Sequence, residues 1–218
     1  MNRAALTERL RNADLYVVIT ESFCAGRASL DILKQCLAAG TTLVQLREKG
    51  MNDGPLLELA HAWRAATREA GALFIVDDRV DIALAAQADG VHLGQSDMPL
   101  TDARRIAPEL ILGASSHSLD EALAAQRDDA DYVNIGPIFP TQTKDAPTGP
   151  VGPQLIAEIA PHLRVPFTCM GGINLDTIDA VLEQGAQIAA VVTAVTAAED
   201  PCAAARLLRE RIVARRRP

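Results

Sequence analysis

Gln45, Arg47 and Lys49 alternate with Leu46 and Glu48 at the end of an apolar run. Side chains alternate along an extended strand, so the amide, the guanidinium and the ammonium share one side if the strand continues through Lys49. Arg and Lys together suit a phosphate or a diphosphate. A solvated strand end with surface ion pairs is the plainer reading, but it leaves three polar groups of one parity without a reason. Asp77-Asp78 closes the next apolar run, and Gln95-Ser96-Asp97 follows the one after it. Carboxylates beside a phosphate-binding cluster point to Mg²⁺, which takes one or two carboxylates, waters and substrate phosphate oxygens. Either aspartate alone would serve as readily as a helix N-cap; the two together favour the metal.

Further candidates follow in order. His92 lies inside a short apolar run and reads equally as a satisfied, partly buried polar group. Ser115 and His117 end the next run, and Ser115 has a hydroxyl to give a phosphate. Thr141, Thr143 and Lys144 lie in a long Pro-, Gly- and Thr-rich loop over residues 136–153. Two hydroxyls and a cation on such a segment make an anion clamp able to close over a substrate; an ordinary polar loop is the alternative. Gly171-Gly172 and Thr193 come at the ends of the last two runs and fit a second phosphate site. Two anion sites, one with a divalent metal, suit the joining of a diphosphate to a monophosphate.

The elements that must position these groups repeat eight times, each an apolar run ending in a polar cluster. Strands are expected over Leu15–Ile19, Thr42–Leu46, Leu73–Val76, Gly90–Leu93, Ile111–Ala114, Tyr132–Ile135, Pro166–Met170 and Ile188–Val192. Helical patterns alternate with them: Leu30–Ala39, Pro55–Ala70, Val80–Ala86, Thr101–Ala107, Leu119–Gln126, Gln154–Ala160, Leu175–Glu183 and Pro201–Ala214. Ser118 with Glu121 forms a capping box, Asn174 is expected to cap the helix from Leu175, and Asp200 precedes Pro201 as a start signal. Eight unbroken repeats favour a closed (β/α)8 TIM barrel over an open doubly wound sheet. Residues 1–218 then form one domain: an extra N-terminal helix within 1–14, the barrel over 15–214 and a basic tail at 215–218. The strand ends of such a barrel build its active site. Thr20-Glu21-Ser22, ending the first strand, receives no role.

The bulk composition bounds the function. Nearly half of the 218 residues are hydrophobic and 3% are aromatic, so the core is aliphatic. A net charge of −7 argues against a general nucleic-acid partner, while leaving room for an anionic substrate at a locally basic site. The four cysteines have neither metal-knuckle nor redox spacing, and read as incidental thiols in a reducing compartment. Neither a membrane span nor a signal-peptide core is visible, so the cytoplasm is the expected location. The sequence does not set the oligomeric state.

Taken together, these segments resemble the thiamine-phosphate synthase family. The resemblance rests on Gln45 to Lys49, Asp78 to Leu84, Ala88 to Gln95 with Asp97, Leu112 to His117, Gly136 to Lys144 and Gly171-Gly172-Ile173, in that order along nearly the whole chain. It implies an enzyme that couples hydroxymethylpyrimidine diphosphate to a thiazole phosphate, with Mg²⁺, to give thiamine phosphate and diphosphate. It implies that Gln45, Arg47 and Lys49 bind the pyrimidine diphosphate and that Asp78 and Asp97 hold the metal. Ser115, Lys144 and His92 would stand on the same side, with Arg47, Lys49 and Lys144 stabilising the leaving group. Thr141 and Thr143 would touch the thiazole, and Gly172, Val192 and Thr193 its phosphate. Two positions depart from the family pattern. Asp77 stands where Asn is usual and is expected to join the metal site or contact the pyrimidine amine. Gln187-Ile188 stands where Asp-Gly is common, and Ile188 is expected to narrow the approach to the thiazole phosphate. The alternatives are a thiazole tautomerase on the same barrel, a Schiff-base enzyme using Lys144, and a non-catalytic binder of thiamine intermediates.

Overall fold

The short apolar runs close on themselves. In the computed structural model, which describes residues 2–143 and 149–216, eight parallel strands form a closed barrel in sequence order. They are β1 (Leu15–Ile19), β2 (Leu43–Leu46), β3 (Leu73–Asp77), β4 (Gly90–Leu93), β5 (Ile111–Ser116), β6 (Tyr132–Ile135), β7 (Phe167–Met170) and β8 (Ala189–Val191), with β1 pairing β8 to complete the ring. The helices are α1 (Arg3–Arg11), α2 (Ser29–Ala38), α3 (Asp53–Glu69), α4 (Val80–Ala85), α5 (Leu100–Ile106), α6 (Leu119–Arg127), α7 (Gln154–Ile159), α8 (Ile178–Glu183), α9 (Thr193–Thr196) and α10 (Pro201–Arg215). The expected strands and helices agree with these to within a few residues, and the barrel is the architecture that the repeats imply. None of the described helices is long and apolar enough to cross a membrane.

Strand alternation sorts the core into two layers. Residues of one parity, among them Val17, Val44, Phe74, Val91, Leu112 and Val133, face the helices and form the larger cluster. Residues of the other parity fill the barrel interior: Tyr16, Val18, Leu43, Leu73, Ile75, Ile111, Tyr132, Ile188 and Ala190. Leu6 and Leu10 of α1 join this inner cluster, so the extra helix plugs the end of the barrel away from the strand carboxyl ends. Ion pairs fasten it there: Arg3 reaches Asp131 at 2.7 Å and Asp129 at 2.7 Å, while Arg104 also binds Asp131.

Three local expectations are corrected. α8 starts at Ile178, not Leu175, because Asn174 spends its side-chain oxygen on the N–H groups of Asp176 and Thr177 in a turn ahead of the helix. Ser118 does cap α6 by accepting from the Glu121 N–H. Glu121 does not answer to Ser118 itself; its carboxylate takes the backbone N–H and ring nitrogen of His117 instead. α9, a single turn after β8, has no counterpart among the expected helices.

The unassigned end of β1 is structural. Glu21 accepts from the backbone and hydroxyl of Ser29 at the start of α2, and its own N–H donates to Glu48 at 2.6 Å. Thus Glu48 points away from Arg47 and Lys49 and ties the β2 end to the β1 end, as strand alternation requires.

Candidate active site at the strand carboxyl ends

Gln45, Arg47, Lys49, Asp77, Asp78, His92, Asp97, Ser115 and Val192 all line one cleft at the barrel mouth. The β-sheet register explains the convergence. Gln45 pairs with Ile75, Asp77 with His92, His92 with Gly113, and Ser115 with Asn134, all on the inward parity. β2 ends at Leu46, yet the Arg47 N–H still donates to the Ile19 carbonyl, which keeps the chain extended for one more residue.

The charges alternate within a small space. Arg47 Nε lies 3.4 Å from Asp77 Oδ2, and Lys49 Nζ lies 2.8 Å from Asp78 Oδ2. Asp77 is deeply buried. Burial, then the neighbouring charge of Asp78, pushes its carboxyl up to about 7, against the pull of Arg47 and Lys49. Its Oδ2 sits at ion-pair distance but has no hydrogen-bond partner among the described residues. Burial and Asp97 likewise push Asp78 up, against the hydrogen bond from Lys49. Burial works to lower the Lys49 ammonium, and the hydrogen bond to Asp78 with the charge of Asp77 overrides it, leaving the group raised.

Asp78 is not a helix cap. It adopts a left-handed backbone with φ of 59°, its N–H donates to the His92 carbonyl, and α4 begins after Arg79 without a side-chain cap. A non-glycine residue in that region costs on the order of 1–3 kcal/mol and persists where its surroundings enforce it. Here the turn aims the carboxylate at Lys49 and Asp97. Asp97 is held by the Gly94 N–H at 2.6 Å, so both carboxylates have fixed directions. Among the described residues no group of three or more His, Cys, Asp or Glu side chains is close enough to hold a metal alone. Two facing carboxylates fit an ion that takes its other ligands from water and phosphate, as Mg²⁺ does.

Two adjoining cavities open from this cleft. One, about 410 Å³, is lined by Lys49, Gln95, Asp97, Ser115, Asn134 and Met170, among others. The other, about 230 Å³, lies between the ends of β7 and β8 and is lined by Gly171, Gly172, Asn174, Val192 and Thr193. Thr141, Thr143, Met170 and Gly171 line both. Thr141 and Thr143 face each other with their hydroxyls 3.0 Å apart. Lys144 lies outside the described residues.

The Gly171-Gly172 pair has a packing reason as well as a place in the cavity wall. Both adopt positive φ, of 106° and 62°. A Cβ at Gly171 would stand 2.6 Å from Pro137 Cα, and one at Gly172 would stand 2.6 Å from the Pro140 carbonyl oxygen. This close approach lets Ile138 and Phe139 donate to the carbonyls of Met170 and Gly171, fastening the β6 loop to the β7 end. Ile188 does not narrow this cavity. It is buried in the inner cluster with Leu6, Leu10 and Tyr16, and the β8 residues that line the cavity begin at Ala190.

His92 is a satisfied, buried group, between Tyr132 and Ser115 at 2.9 Å each. His117 turns away to Glu121. Tyr16, Tyr132, Gln95 and Asn134 were not among the expected site residues. Tyr16 binds Gln45, Gln95 binds the Ser115 carbonyl, and Asn134 accepts from Thr168. The two tyrosines and Asn134 fall on the inward parity of apolar strands, a position they share with plain core residues such as Leu43 and Ile75.

The chain is similar to known proteins along most of its length. A family model described as thiamine monophosphate synthase matches residues 15–195. A thiamine-phosphate synthase of Moorella thermoacetica is 46% identical over 198 residues, covering 90% of this chain and 94% of the relative. One of Chloroflexus aurantiacus is also 46% identical, over 89% of this chain and 90% of its own length. Among solved structures, a thiamine phosphate pyrophosphorylase from Pyrococcus furiosus superposes with a TM-score of 0.89 at 39% identity, covering 94% of this chain and 98% of the other.

Proposed function

Since the chain belongs to the thiamine monophosphate synthase family, we propose that its barrel mouth joins hydroxymethylpyrimidine diphosphate to a thiazole phosphate, giving thiamine phosphate and diphosphate. The protein is a transferase of thiamine biosynthesis. The observation that carries the assignment of substrates to places is the pair of adjoining cavities sharing the Thr141–Thr143 wall. The pyrimidine diphosphate as a whole belongs on the side of Gln45, Arg47, Lys49, Asp77, His92 and Ser115. The thiazole phosphate belongs beside Gly172, Val192 and Thr193, with Thr141 and Thr143 as thiazole contacts in the wall that the two cavities share.

The reaction breaks the bond between the pyrimidine methylene and the diphosphate oxygen, and both electrons leave with the diphosphate. The thiazole nitrogen then donates its lone pair to the methylene and forms the new C–N bond. No strong base or covalent nucleophile is needed, which agrees with a buried His92 held between Tyr132 and Ser115. What the chain must supply is positive charge at the leaving oxygen, from Arg47, Lys49 and Lys144. Asp78 and Asp97 are the residues that would hold Mg²⁺, and the bound ion adds charge neutralisation on the leaving diphosphate. Val192 and Met170, which line the cleft, keep water from the methylene while it carries positive charge.

The test is a single incubation of both substrates with Mg²⁺, reading thiamine phosphate and diphosphate in equal amounts. Product formed in the presence of a chelator would overturn the metal assignment. Isomerisation of the thiazole phosphate with no coupling would replace the synthase reading with that of a tautomerase.

A further inference from the structure

An unbroken line of hydrogen bonds runs through the barrel interior between two of the candidate substrate contacts. Gln45 Nε2 lies 2.7 Å from the Tyr16 hydroxyl, which lies 3.0 Å from the Tyr132 hydroxyl. Tyr132 lies 2.9 Å from His92 Nδ1, and His92 Nε2 lies 2.9 Å from Ser115 Oγ. All five side chains are buried. The fold makes room for the line at a specific place: a Cβ on Gly113 would stand 2.1 Å from Tyr132 Cζ, so only glycine on β5 admits that ring.

The line has a direction. A hydroxyl gives one hydrogen, and a neutral imidazole gives one and accepts one. Gln45 donates its amide hydrogen to Tyr16. Continued from there, this order would have Tyr16 donate to Tyr132, Tyr132 donate to His92 Nδ1, and His92, protonated on Nε2, donate to Ser115. The Ser115 hydrogen is thereby left for a ligand at the mouth, while the Gln45 oxygen is left as an acceptor. The opposite order turns the Gln45 NH₂ to the mouth and ties the Ser115 hydrogen to His92. Burial pushes both phenols up, so each stays protonated and can pass the order along.

We propose that Tyr16 and Tyr132 are positioning residues that lock Gln45 and Ser115 into complementary hydrogen-bonding states. One end of the line then shows an acceptor and the other a donor. This rests on the placement of the pyrimidine diphosphate above. An ionised diphosphate only accepts, and so requires the Ser115 hydrogen. An exocyclic amine donates, and so requires the Gln45 oxygen. One ordering of the line satisfies both ends of the same substrate, and the reverse ordering fails both.

The test reads the His92 ring directly, in ligand-free enzyme labelled with ¹⁵N-histidine and assigned with His92→Asn. The expected result is the Nε2–H tautomer in the wild type and an averaged pair of ring shifts in Tyr132→Phe. Wild-type His92 protonated on Nδ1, or a Tyr132→Phe signal identical to wild type, overturns the line. Tyr132→Phe and Tyr16→Phe are each expected to lower kcat/KM for the pyrimidine diphosphate about tenfold, with KM for the thiazole phosphate unchanged. Tyr16→Phe breaks a different bond and serves if Tyr132→Phe does not fold. An altered ring signal with unmoved kinetics overturns the coupling to substrate. Failure of the wild type to form thiamine phosphate is a separate result, since the ring signature is read without ligand.

Discussion

The Lys49 ammonium stands 2.8 Å from Asp78 Oδ2, so the proposed diphosphate ligand and the proposed metal ligand are direct neighbours. Each controls the other's charge in an enclosed cleft. A leaving diphosphate placed there meets a cation on one side and the metal's carboxylate on the other. Lys49→Ala is therefore expected to lower kcat by about 10²-fold or more, a scale typical of losing one preorganised electrostatic group. Steady-state kinetics with both substrates would check it, and a change confined to KM would argue for simple binding.

Asp78→Asn and Asp97→Asn each remove one of the two facing carboxylates. The expected outcome is at least a tenfold rise in the Mg²⁺ concentration needed for half-maximal rate, with a small change in thermal stability. Titration of activity against Mg²⁺ measures it. A wild-type Mg²⁺ curve for both variants would show that the ion is held elsewhere.

Asp77 offers a test in the opposite direction. Its buried carboxylate lies beside Arg47 and Lys49 and offsets cations that the diphosphate would otherwise use. Asp77→Asn keeps the shape and removes the charge that the carboxyl carries above about pH 7, and is expected to lower KM for the pyrimidine diphosphate about threefold to tenfold at pH 8, with the difference shrinking as pH falls through 7. An unchanged KM, together with unchanged Mg²⁺ dependence, would leave Asp77 without a special role.

Gly172→Ala must place a methyl group 2.6 Å from the Pro140 carbonyl oxygen and 2.7 Å from Phe139 Cβ, at a φ of 62°. Strain and collision together are expected to destabilise the protein by about 1–3 kcal/mol. Urea unfolding reads that loss, and KM for the thiazole phosphate should rise alongside it. A stable variant with a raised KM alone would place the role of Gly172 wholly in binding.

Cysteine chemistry provides a check on the packing. Burial pushes the thiols of Cys36 and Cys169 up to about 12 and that of Cys24 up to about 11, while Cys202 is partly exposed. Thiolate is the reactive form, so iodoacetamide at pH 8 is expected to modify Cys202 alone in the native protein and all four in denaturant. Rapid native labelling of Cys169 in β7 would contradict the closed barrel. Mass spectrometry distinguishes these outcomes.

The sequence carried the barrel and much of its mouth because both depend on short-range rules. Strand parity alone grouped Gln45, Arg47 and Lys49 on one side, and the register of the closed sheet pairs Asp77 with His92 on the same inward parity. Residue type then suggested phosphate and metal. The hidden parts depend on contacts far apart in the chain. Tyr16 and Tyr132 sit inside apolar runs and look like ordinary core until the ring closes and brings their hydroxyls together. Ile188 was misplaced for a related reason: only the three-dimensional stacking of interior layers shows that it lies with α1, below the cavity. The start of α8 was missed because Asn174 can begin a turn as readily as a helix, and nothing local decides between them.

The plug at the bottom of the barrel has a consequence in time. Arg3 finds its partners at Asp129 and Asp131, and Leu6 and Leu10 pack against side chains drawn from both ends of the chain, Tyr16 and Ile188 among them. α1 is therefore made well before the residues that seat it. Until the turn between α6 and β6 has been made, its anchoring carboxylates do not exist, and until β8 has been made, the floor it rests on is incomplete. A segment made early has to wait for segments made late.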